Sequence, residues 1–279
     1  ITFADQNIIG TKPHALFINT NNTIYSVNRN TKEILIWANQ SSNPTKNISR
    51  NFIESFSIFV TNVGDIFIDN GFLNNQVNQW IQRNESFITV MSVNYSCYGL
   101  FVDQNNSLYC SKYFKHKVVK RWLNDVDLTP KIVAGNGTNG SALNQLSSPE
   151  GLFVDVNFDL YVADSGNNRI QQFEVGQLNG TTKVGNGSSN VTFPLNRPSG
   201  IVLDAQKYLF IVEYEKGRII REDANGFRCL VGCDGKGSQS DQLSDPTTLS
   251  FDIDGNIFVS DWGNSRIQKF TFEKTSCGK

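Results

Sequence analysis

A hairpin pattern that recurs six times along this chain of 279 residues constrains the fold more than any other feature. In the stretch from Pro149 to Phe173, an apolar segment that begins at Gly151 ends in a polar turn, and a second apolar segment returns antiparallel to it. Strands rich in β-branched and aromatic residues, separated by Asn, Asp and Gly turns, are typical of a β-meander. A meander cannot bury both its faces alone, so it needs neighbours like itself.

The six copies share fixed positions relative to a starting residue in the first strand. A carboxylate or a polar substitute follows that residue by 4 positions, a Leu or Ile by 9, and an aromatic residue by 10. Successive starting residues lie 42 to 52 positions apart, a period typical of propeller blades with four strands. The starting residues are Ala15, Ser57, Gly99, Gly151, Gly200 and Thr248, and the aromatic residues are Tyr25, Phe67, Tyr109, Tyr161, Phe210 and Phe258.

The later copies resemble the NHL repeat. The segments PEGLFVD and DLYVADSGNNRIQQF carry the motif nearly complete, as does PTTLSFDIDGNIFVSDWGNSRIQKF, and it is recognisable in PSGIVLD with YLFIVEYEKGRII. In the first three copies the motif is degraded, because Ala15 and Ser57 replace a glycine and the Arg-Ile strand becomes ILIW, QVNQW or KVVKRW. The resemblance covers almost the whole chain. It implies an all-β fold, a six-bladed β-propeller of four-stranded antiparallel blades, and says little about function because the motif residues are structural.

One propeller domain, residues 1–279, accounts for the whole sequence, with blades that start near residues 13, 55, 97, 149, 198 and 246. After Phe270 the last copy has only a short polar tail, so it lacks the segment that gives each earlier blade its outer strand. We therefore expect residues 1–9 to supply the outer strand of the last blade. Ring closure by this N-terminal strand would remove an exposed sheet edge.

The number of N-x-[ST] glycan acceptors favours a secreted glycoprotein. The chain has 33 Asn residues and 11 acceptors, whereas chance would give roughly five. An Asn-rich chain that generates acceptors by chance is the alternative. The acceptors are Asn21, Asn39, Asn47, Asn84, Asn94, Asn105, Asn136, Asn139, Asn179, Asn186 and Asn190.

Five cysteines point to the same extracellular compartment. Cys97 and Cys110 lie on the hairpin of blade 3 within disulfide reach of each other, and Cys229 and Cys233 could close a small loop. Free buried cysteines are the alternative for each pair. Cys277 is then left over, and an odd cysteine in a secreted protein suggests a bond to another chain or to a removed segment.

Charge and hydropathy argue against two classes of partner. A net charge of −1 gives no general attraction to nucleic acid or anionic lipid, and no run of 18 apolar residues is present to span a membrane. Blade 3 carries one basic run, residues 112–121, which we interpret as a solvated strand edge, with an anion or glycan contact as the alternative. The chain begins at Ile1 without Met or a signal peptide, which predicts a processed or trimmed form.

The sequence predicts no cofactor and no catalytic constellation. Zinc-dependent relatives hold the metal with several histidines, whereas this chain has only His14 and His116. Lactonase-like propellers hold calcium in the central channel with Glu, Asn and Asp oxygens. Glu54, Glu150, Asn196 and the inner-strand aspartates could supply such oxygens, although no spacing selects them.

Acids and arginines that recur once per copy are interpreted as structural ties, because an active site would break the repeat at one place. We therefore predict a non-enzymatic, secreted glycoprotein that acts as an extracellular protein or glycan interaction module or as a structural scaffold. A self-assembling subunit of an extracellular fibre or coat is a version of this hypothesis. A calcium-dependent hydrolase, lactonase or lyase-like enzyme with its site at the central channel is the alternative.

Overall fold

The computed structural model describes residues 1–50, 52, 54–188 and 193–272. It contains six four-stranded antiparallel sheets arranged as the blades of a β-propeller, as the repeat predicts. Within each blade the inner strand begins at one face of the ring and ends at the other. We call the face where the inner strands begin the upper face and the opposite one the lower face.

Blades 1 to 3 are complete sheets even though their sequence motifs are degraded. In each blade the strands pair in chain order from the inner strand outward. Their strands are β2 (Leu16–Ile18), β3 (Ile24–Asn28), β4 (Glu33–Trp37) and β5 (Lys46–Ser49) in blade 1, β6 (Ile58–Val60), β7 (Ile66–Asp69), β8 (Gln76–Ile81) and β9 (Ser86–Ser92) in blade 2, and β10 (Gly99–Val102), β11 (Ser107–Lys112), β12 (Lys117–Trp122) and β13 (Lys131–Ala134) in blade 3.

Blades 4 to 6 follow the same order, except that the outer strand of blade 6 is β1 (Thr2–Ala4). The other strands are β14 (Pro149–Val154), β15 (Leu160–Asp164), β16 (Arg169–Phe173) and β17 (Thr181–Gly185) in blade 4, β18 (Pro198–Leu203), β19 (Leu209–Glu213), β20 (Arg218–Asp223) and β21 (Gly226–Val231) in blade 5, and β22 (Pro246–Phe251), β23 (Ile257–Asp261) and β24 (Arg266–Phe270) in blade 6.

The N-terminal segment closes the ring, although with a shorter strand than predicted. Thr2 opposes Gln268 in antiparallel pairing between β1 and β24. Residues 6–9 do not continue this strand; they form a short helix, α1 (Gln6–Ile9), because Asp5 caps it by accepting a hydrogen bond from the backbone N–H of Asn7. A second short helix, α2 (Gly71–Asn74), lies in the upper turn of blade 2.

Six hydrophobic clusters form the core, one at each joint between neighbouring blades. Each cluster contains one of the six repeat aromatic residues, of which the most accessible, Tyr161, is 7% exposed. The expectation that these rings pack between blades is therefore confirmed.

The starting residue of each inner strand is small because adjacent inner strands approach closely. A Cβ atom on Gly151 would lie 2.4 Å from the carbonyl oxygen of Ser199, and one on Gly200 would lie 2.8 Å from Cα of Thr248. Backbone atoms cannot yield to such contacts, so these positions require glycine.

The repeated acids organise the lower turns, as expected. Oδ1 of Asp155 accepts the backbone N–H groups of Asn157 and Asp159 at 2.9 and 3.0 Å. The equivalent acids make the same pair of contacts in their own blades. These acids are Asp103, Asp204 and Asp252.

Ion pairs between a repeated acid and a repeated arginine organise the upper turns of blades 4 to 6. Nε of Arg266 donates to Asp261 at 2.6 Å, while its other nitrogens donate to carbonyl groups of the connector before β22. Asp164 with Arg169, and Glu213 with Arg218, form the equivalent pairs. The arginines therefore act as structural ties between a blade and the connector that leads into it.

Two disulfides lie at the cysteine pairs considered above. Cys97, at the start of the inner hairpin of blade 3, is bonded to Cys110 on β11 with Cα atoms 5.2 Å apart. Cys229 on β21 is bonded to Cys233 with Cα atoms 5.8 Å apart. Cys277 lies outside the described residues.

Candidate functional site

Six residues surround the upper end of the propeller axis, one from each blade. Each immediately precedes the starting residue of its inner strand, and together they line a central cavity of about 70 Å³, which is room for a few water molecules. Because the glycine-rich inner strands meet just below, a larger ligand would have to lie above this ring rather than inside the channel. The six residues are His14, Phe56, Tyr98, Glu150, Ser199 and Thr247.

Side-chain hydrogen bonds to backbone carbonyl groups join neighbouring blades around this end of the axis. Ser57 Oγ donates to the carbonyl of Cys97 at 2.8 Å, and Thr247 Oγ1 donates to that of His14 at 3.2 Å. Similar bonds from Ser111 and Ser199 link blade 3 to blade 4 and blade 5 to blade 6. These polar groups have structural partners, so they are not free for chemistry.

His14 makes a similar hydrogen bond between neighbouring blades, and it does so as a neutral imidazole. Its Nδ1 lies 2.7 Å from the carbonyl oxygen of Phe56, so Nδ1 carries the proton that it donates. Burial lowers the pKa of His14 to about 4; the Phe56 carbonyl opposes this shift, and the charges of Arg29 and Arg197 add to it. At neutral pH His14 therefore joins blade 1 to blade 2 and carries no charge.

The joint between blades 4 and 5 is made by an ion pair instead. Nε of Arg197 lies 3.5 Å from Oε1 of the buried Glu150, which also accepts a hydrogen bond from Ser165. Burial raises the pKa of Glu150 to about 7, against the lowering effect of Arg197. Arg197 also pairs with Glu215 and lies over the ring of Tyr214 at 4.3 Å.

Asp69 is a buried acid at a repeat position that is neutral in the other five blades. The equivalent residues are Val, Ser or Ala, and Asp69 has no accessible surface. Its Oδ2 accepts a weak hydrogen bond from the backbone N–H of Phe56, whereas Oδ1 has no partner among the described residues. Burial raises the pKa of Asp69 to about 7, although backbone N–H groups and Arg29 oppose the shift.

Aromatic side chains cover the upper face of blades 2 and 3. Tyr98 stacks between Phe56 and Tyr113, with ring centroids 4.2 and 4.6 Å away, and Phe114 meets the edge of Tyr113 at 4.9 Å. Phe114 is 54% exposed. These four rings form a continuous arc that runs outward from the channel mouth.

Three cations accompany these rings. Arg29 lies 5.0 Å above Phe56, and Lys115 lies 4.3 Å above Tyr95, at the outer end of the arc. Lys112 is the third; it is buried at the repeat position where blades 4 to 6 have an acid. We call the four rings and three cations the aromatic–basic arc: Phe56, Tyr98, Tyr113, Phe114, Arg29, Lys112 and Lys115.

The basic run of blade 3 lies only partly on strands. Lys112 ends β11 and residues 117–121 lie on β12, whereas residues 113–115 form a 3-10 turn on the upper face. His116 caps this turn, and its Nδ1 accepts the backbone N–H of Ser148 at 3.0 Å. His14 and His116 thus have separate structural roles.

The lower mouth of the channel is apolar, which the sequence analysis missed. Phe17, Phe59, Phe101 and Phe153 stand two positions after the starting residues of four consecutive blades, and neighbouring rings are 4.9 to 5.1 Å apart. Recesses of about 290 and 300 Å³ open beside them. A comparison of the six copies at this position would have revealed the pattern.

A larger recess of about 610 Å³ lies on the lower flank between blades 5 and 6. Apolar side chains form much of its lining, and Arg221 and Arg228 stand beside them. The principal apolar residues are Leu203, Phe210, Leu230, Phe251, Ile253 and Phe272.

The residues considered for a metal site do not come together. Within the part of the chain that the structure describes, no three His, Cys, Asp or Glu side chains are arranged to hold a metal ion. Glu54 is exposed, and Asn196 donates its backbone N–H to Glu213. No helix in that part has the length and apolar composition needed to cross a membrane.

The sequence profile of the NHL repeat matches residues 146–173 and 243–270, which form the inner three strands of blades 4 and 6. The chain is an NHL-repeat propeller. No curated protein matches this chain in sequence.

Solved structures similar to this NHL-repeat propeller share its fold at low identity. A protein of unknown function from Bacteroides thetaiotaomicron has a TM-score of 0.74 at 13% identity, over 93% of this chain and 69% of that one. An auxiliary nutrient binding protein from the same organism has a TM-score of 0.69 at 13% identity, over 97% and 72%. A streptogramin B lyase has a TM-score of 0.66 at 14% identity, over 96% of both chains.

Proposed function

We propose that this NHL-repeat propeller is a non-enzymatic, secreted and N-glycosylated protein that assembles with further copies of itself. The observation that carries the proposal is the distribution of the glycan acceptors. All 11 lie between Asn21 and Asn190, whereas residues 198–272, which include all of blade 5 and three strands of blade 6, have none. Glycans would project from sites on blades 1 to 4, whereas the remaining flank is bare and open to protein contact.

The accessibility of the acceptors supports glycosylation. Ten acceptor asparagines lie among the described residues, and all ten are exposed, whereas only 11 of the other 21 described asparagines are exposed. Asn190 lies outside the described residues. The two disulfides add support, because such bonds persist in oxidising compartments.

The bare flank offers an apolar surface for a second copy. The recess between blades 5 and 6 is lined by side chains such as Phe251 and Ile253. In a six-bladed ring blade 3 stands opposite blade 6, and its lower loop presents Val126, which is 98% exposed, and Trp122, which is 48% exposed. Insertion of this loop into the recess of the next copy would give a head-to-tail contact. Repeated from copy to copy without closing into a ring, such a contact builds a fibre.

The rigidity of the loop favours the same contact. Val126 stands between Asp125 and Asp127 and is almost fully exposed. The guanidinium of Arg121 holds the backbone of this loop in one conformation, because it donates hydrogen bonds to the carbonyl groups of Asp125 and Asp127. A preorganised loop loses little conformational entropy on binding.

The enzyme alternative has weaker support. The similarity to a streptogramin B lyase, at 14% identity, extends to the fold alone. At the channel mouth His14 and Glu150 each have a structural partner, and the cavity between them holds little more than water. Ligand-dependent turnover that is lost on chelation of calcium would contradict the proposal.

Light scattering and electron microscopy of the native glycoprotein test self-assembly. We expect concentration-dependent polymers from the wild-type chain and monomers from Val126→Asp, because a charge would enter the apolar recess. Val175→Asp is the matched control, since Val175 stands in the equivalent loop of blade 4 and is 64% exposed. Monomers of the wild-type chain at every attainable concentration would contradict assembly, and an unchanged mass after glycosidase treatment would contradict glycosylation.

A further inference from the structure

We propose that the aromatic–basic arc on the upper face of blades 1 to 3 binds an anionic carbohydrate, one that carries carboxylate or sulfate groups. This surface is separate from the recess between blades 5 and 6, so the proposal goes beyond self-assembly. It follows from three features of the arc: cations that form no direct ion pair, exposed aromatic surface, and a position above a closed channel.

The cations of the arc differ in their pairing from Arg197 and Lys236, which lie over blades 4 to 6. Both of these pair with carboxylates, and Glu215 is a partner of each. Among the described residues, Arg29, Lys112 and Lys115 form no direct ion pair, and the carboxylates of Glu54 and Asp69 act on Arg29 only from farther away. A guanidinium without a hydrogen-bond partner offers a planar set of donors that suits a carboxylate or sulfate.

Asp69 does not neutralise these cations at the surface. It is fully buried beneath the arc, and its carboxyl interacts with Arg29 only at longer range. Lys112 lies at a position that holds Asp164 in blade 4, so blade 3 has exchanged a negative charge for a positive one. The arc therefore carries a local positive charge on a chain whose net charge is −1.

The aromatic residues favour a sugar over a simple inorganic anion. Phe114 and Tyr113 meet edge to face, and Phe114 is 54% exposed, so an apolar ring surface remains open beside the cations. The apolar C–H face of a sugar ring can pack on such a surface while its acidic group reaches Arg29 or Lys115. The whole arc lies above the ring of inner strands, so an extended chain of sugars can pass over the mouth without entering the channel.

A nucleic acid would also combine negative charge with flat rings, but the molecule as a whole argues against it. Its net charge of −1 gives no general attraction to a nucleic acid backbone. Two disulfides also favour an extracellular environment, where acidic polysaccharides are the more abundant polyanions.

Isothermal titration with tetragalacturonate and with a sulfated heparin tetrasaccharide, using cellotetraose as a neutral probe, tests the proposal on the full glycosylated chain. We expect binding of at least one acidic probe, no binding of cellotetraose, and weaker binding at higher salt. Arg29→Gln and Phe114→Ala should each weaken binding by at least fivefold. Lys131→Gln and Ile132→Ala, exposed residues elsewhere on blade 3, should leave it unchanged.

Asn94 requires a separate arm, because this acceptor stands beside Tyr95 and Lys115 at the outer end of the arc. Asn94→Gln should bind the acidic probe at least as tightly as the wild-type chain. Loss of binding in Asn94→Gln, equal loss in the Ile132→Ala control, or binding of neither acidic probe would overturn the proposal. Preference for a single-stranded RNA over both acidic sugars, with the same dependence on Arg29, would overturn it in favour of a nucleic-acid surface.

Discussion

Nε of Arg169 lies 2.7 Å from Oδ2 of Asp164, and the same guanidinium donates to the backbone carbonyl groups of Ser141, Ala142 and Gln145. Asp164 is fully buried and Arg169 is nearly so. Removal of the arginine would leave a buried charge and several carbonyl groups without partners. Arg169→Gln should therefore lower the free energy of unfolding by about 3–5 kcal/mol, as measured in urea.

The control for this change is an exposed pair of the same type. The side chain of Arg228 is 60% exposed where it meets Asp223, and Arg228→Gln should cost less than about 1 kcal/mol. Equal effects of the two substitutions would show that the buried tie contributes no more than a surface contact.

Asp69 should make stability fall as the pH rises towards neutrality. Burial raises its pKa in the folded protein to about 7, above the value of about 3.9 in an unfolded chain. Between about pH 4 and 7 the folded state then binds more protons than the unfolded state, so the free energy of unfolding decreases with pH in this window. Asp69→Asn should remove this part of the decrease and stabilise the protein at about pH 8 by about 1–3 kcal/mol.

Glu150 contributes to the same window, because burial raises its pKa to about 7 as well. The free energy of unfolding in urea is therefore measured at several pH values for the wild-type chain and for Asp69→Asn. In Asp69→Asn part of its decrease with pH should persist, because Glu150 still titrates. Parallel profiles for the two proteins, without a change in slope, would mean that Asp69 titrates normally in the fold.

Gly151→Ala should destabilise the protein by about 1–3 kcal/mol, because the added methyl group meets the backbone of the next inner strand. Ala15 occupies the same repeat position in blade 1. Ala15→Gly should cost only about 0.5–1 kcal/mol, through the greater freedom of glycine in the unfolded chain. Thermal unfolding of both variants measures the difference, and a stabilised Gly151→Ala would contradict the close approach of the strands.

Phe258→Ala should destabilise the protein by about 3–5 kcal/mol, because its ring is fully buried at the joint between blades 6 and 1. Phe3, from the closing segment, packs on this ring with centroids 5.2 Å apart. Phe272→Ala is the control, since Phe272 is 40% exposed. A small effect of Phe258→Ala in urea unfolding would contradict tight packing at the closing joint.

The fold was predictable because each blade meets the same physical demands. An aromatic ring between blades, a side-chain oxygen that accepts backbone N–H groups in the lower turn, and a small residue on the inner strand recur in the sequence because every blade needs them. The ring closure by the N-terminal strand followed from the missing outer strand of the last copy. Its helical part, residues 6–9, was missed although Asp5 stands at a cap position before it.

The candidate site was harder to predict because it lies where the copies differ. Phe56 and Tyr98 precede the starting residues, at a position with a different residue in every blade. The roles of Lys112 and Asp69 depend on their neighbours in the fold. Lys112 forms no ion pair with an acid, and Asp69 forms none with a base, among the described residues. A sequence periodicity detects what is repeated and cannot detect a group of exceptions from three blades.

The pairing of β1 with β24 has a consequence for biosynthesis. Thr2 and Gln268 are 266 positions apart, yet their side chains share a hydrogen bond of 3.1 Å in one sheet. While a ribosome extends the chain, blades 1 to 5 can fold as they emerge, but the sixth sheet must wait for the last strand to leave the exit tunnel. Until then β1 has no partner strand, so the nascent propeller is an open ring with an unpaired strand at its N-terminal end. Quality control of this protein should therefore act late, on chains that have every blade except a finished sixth.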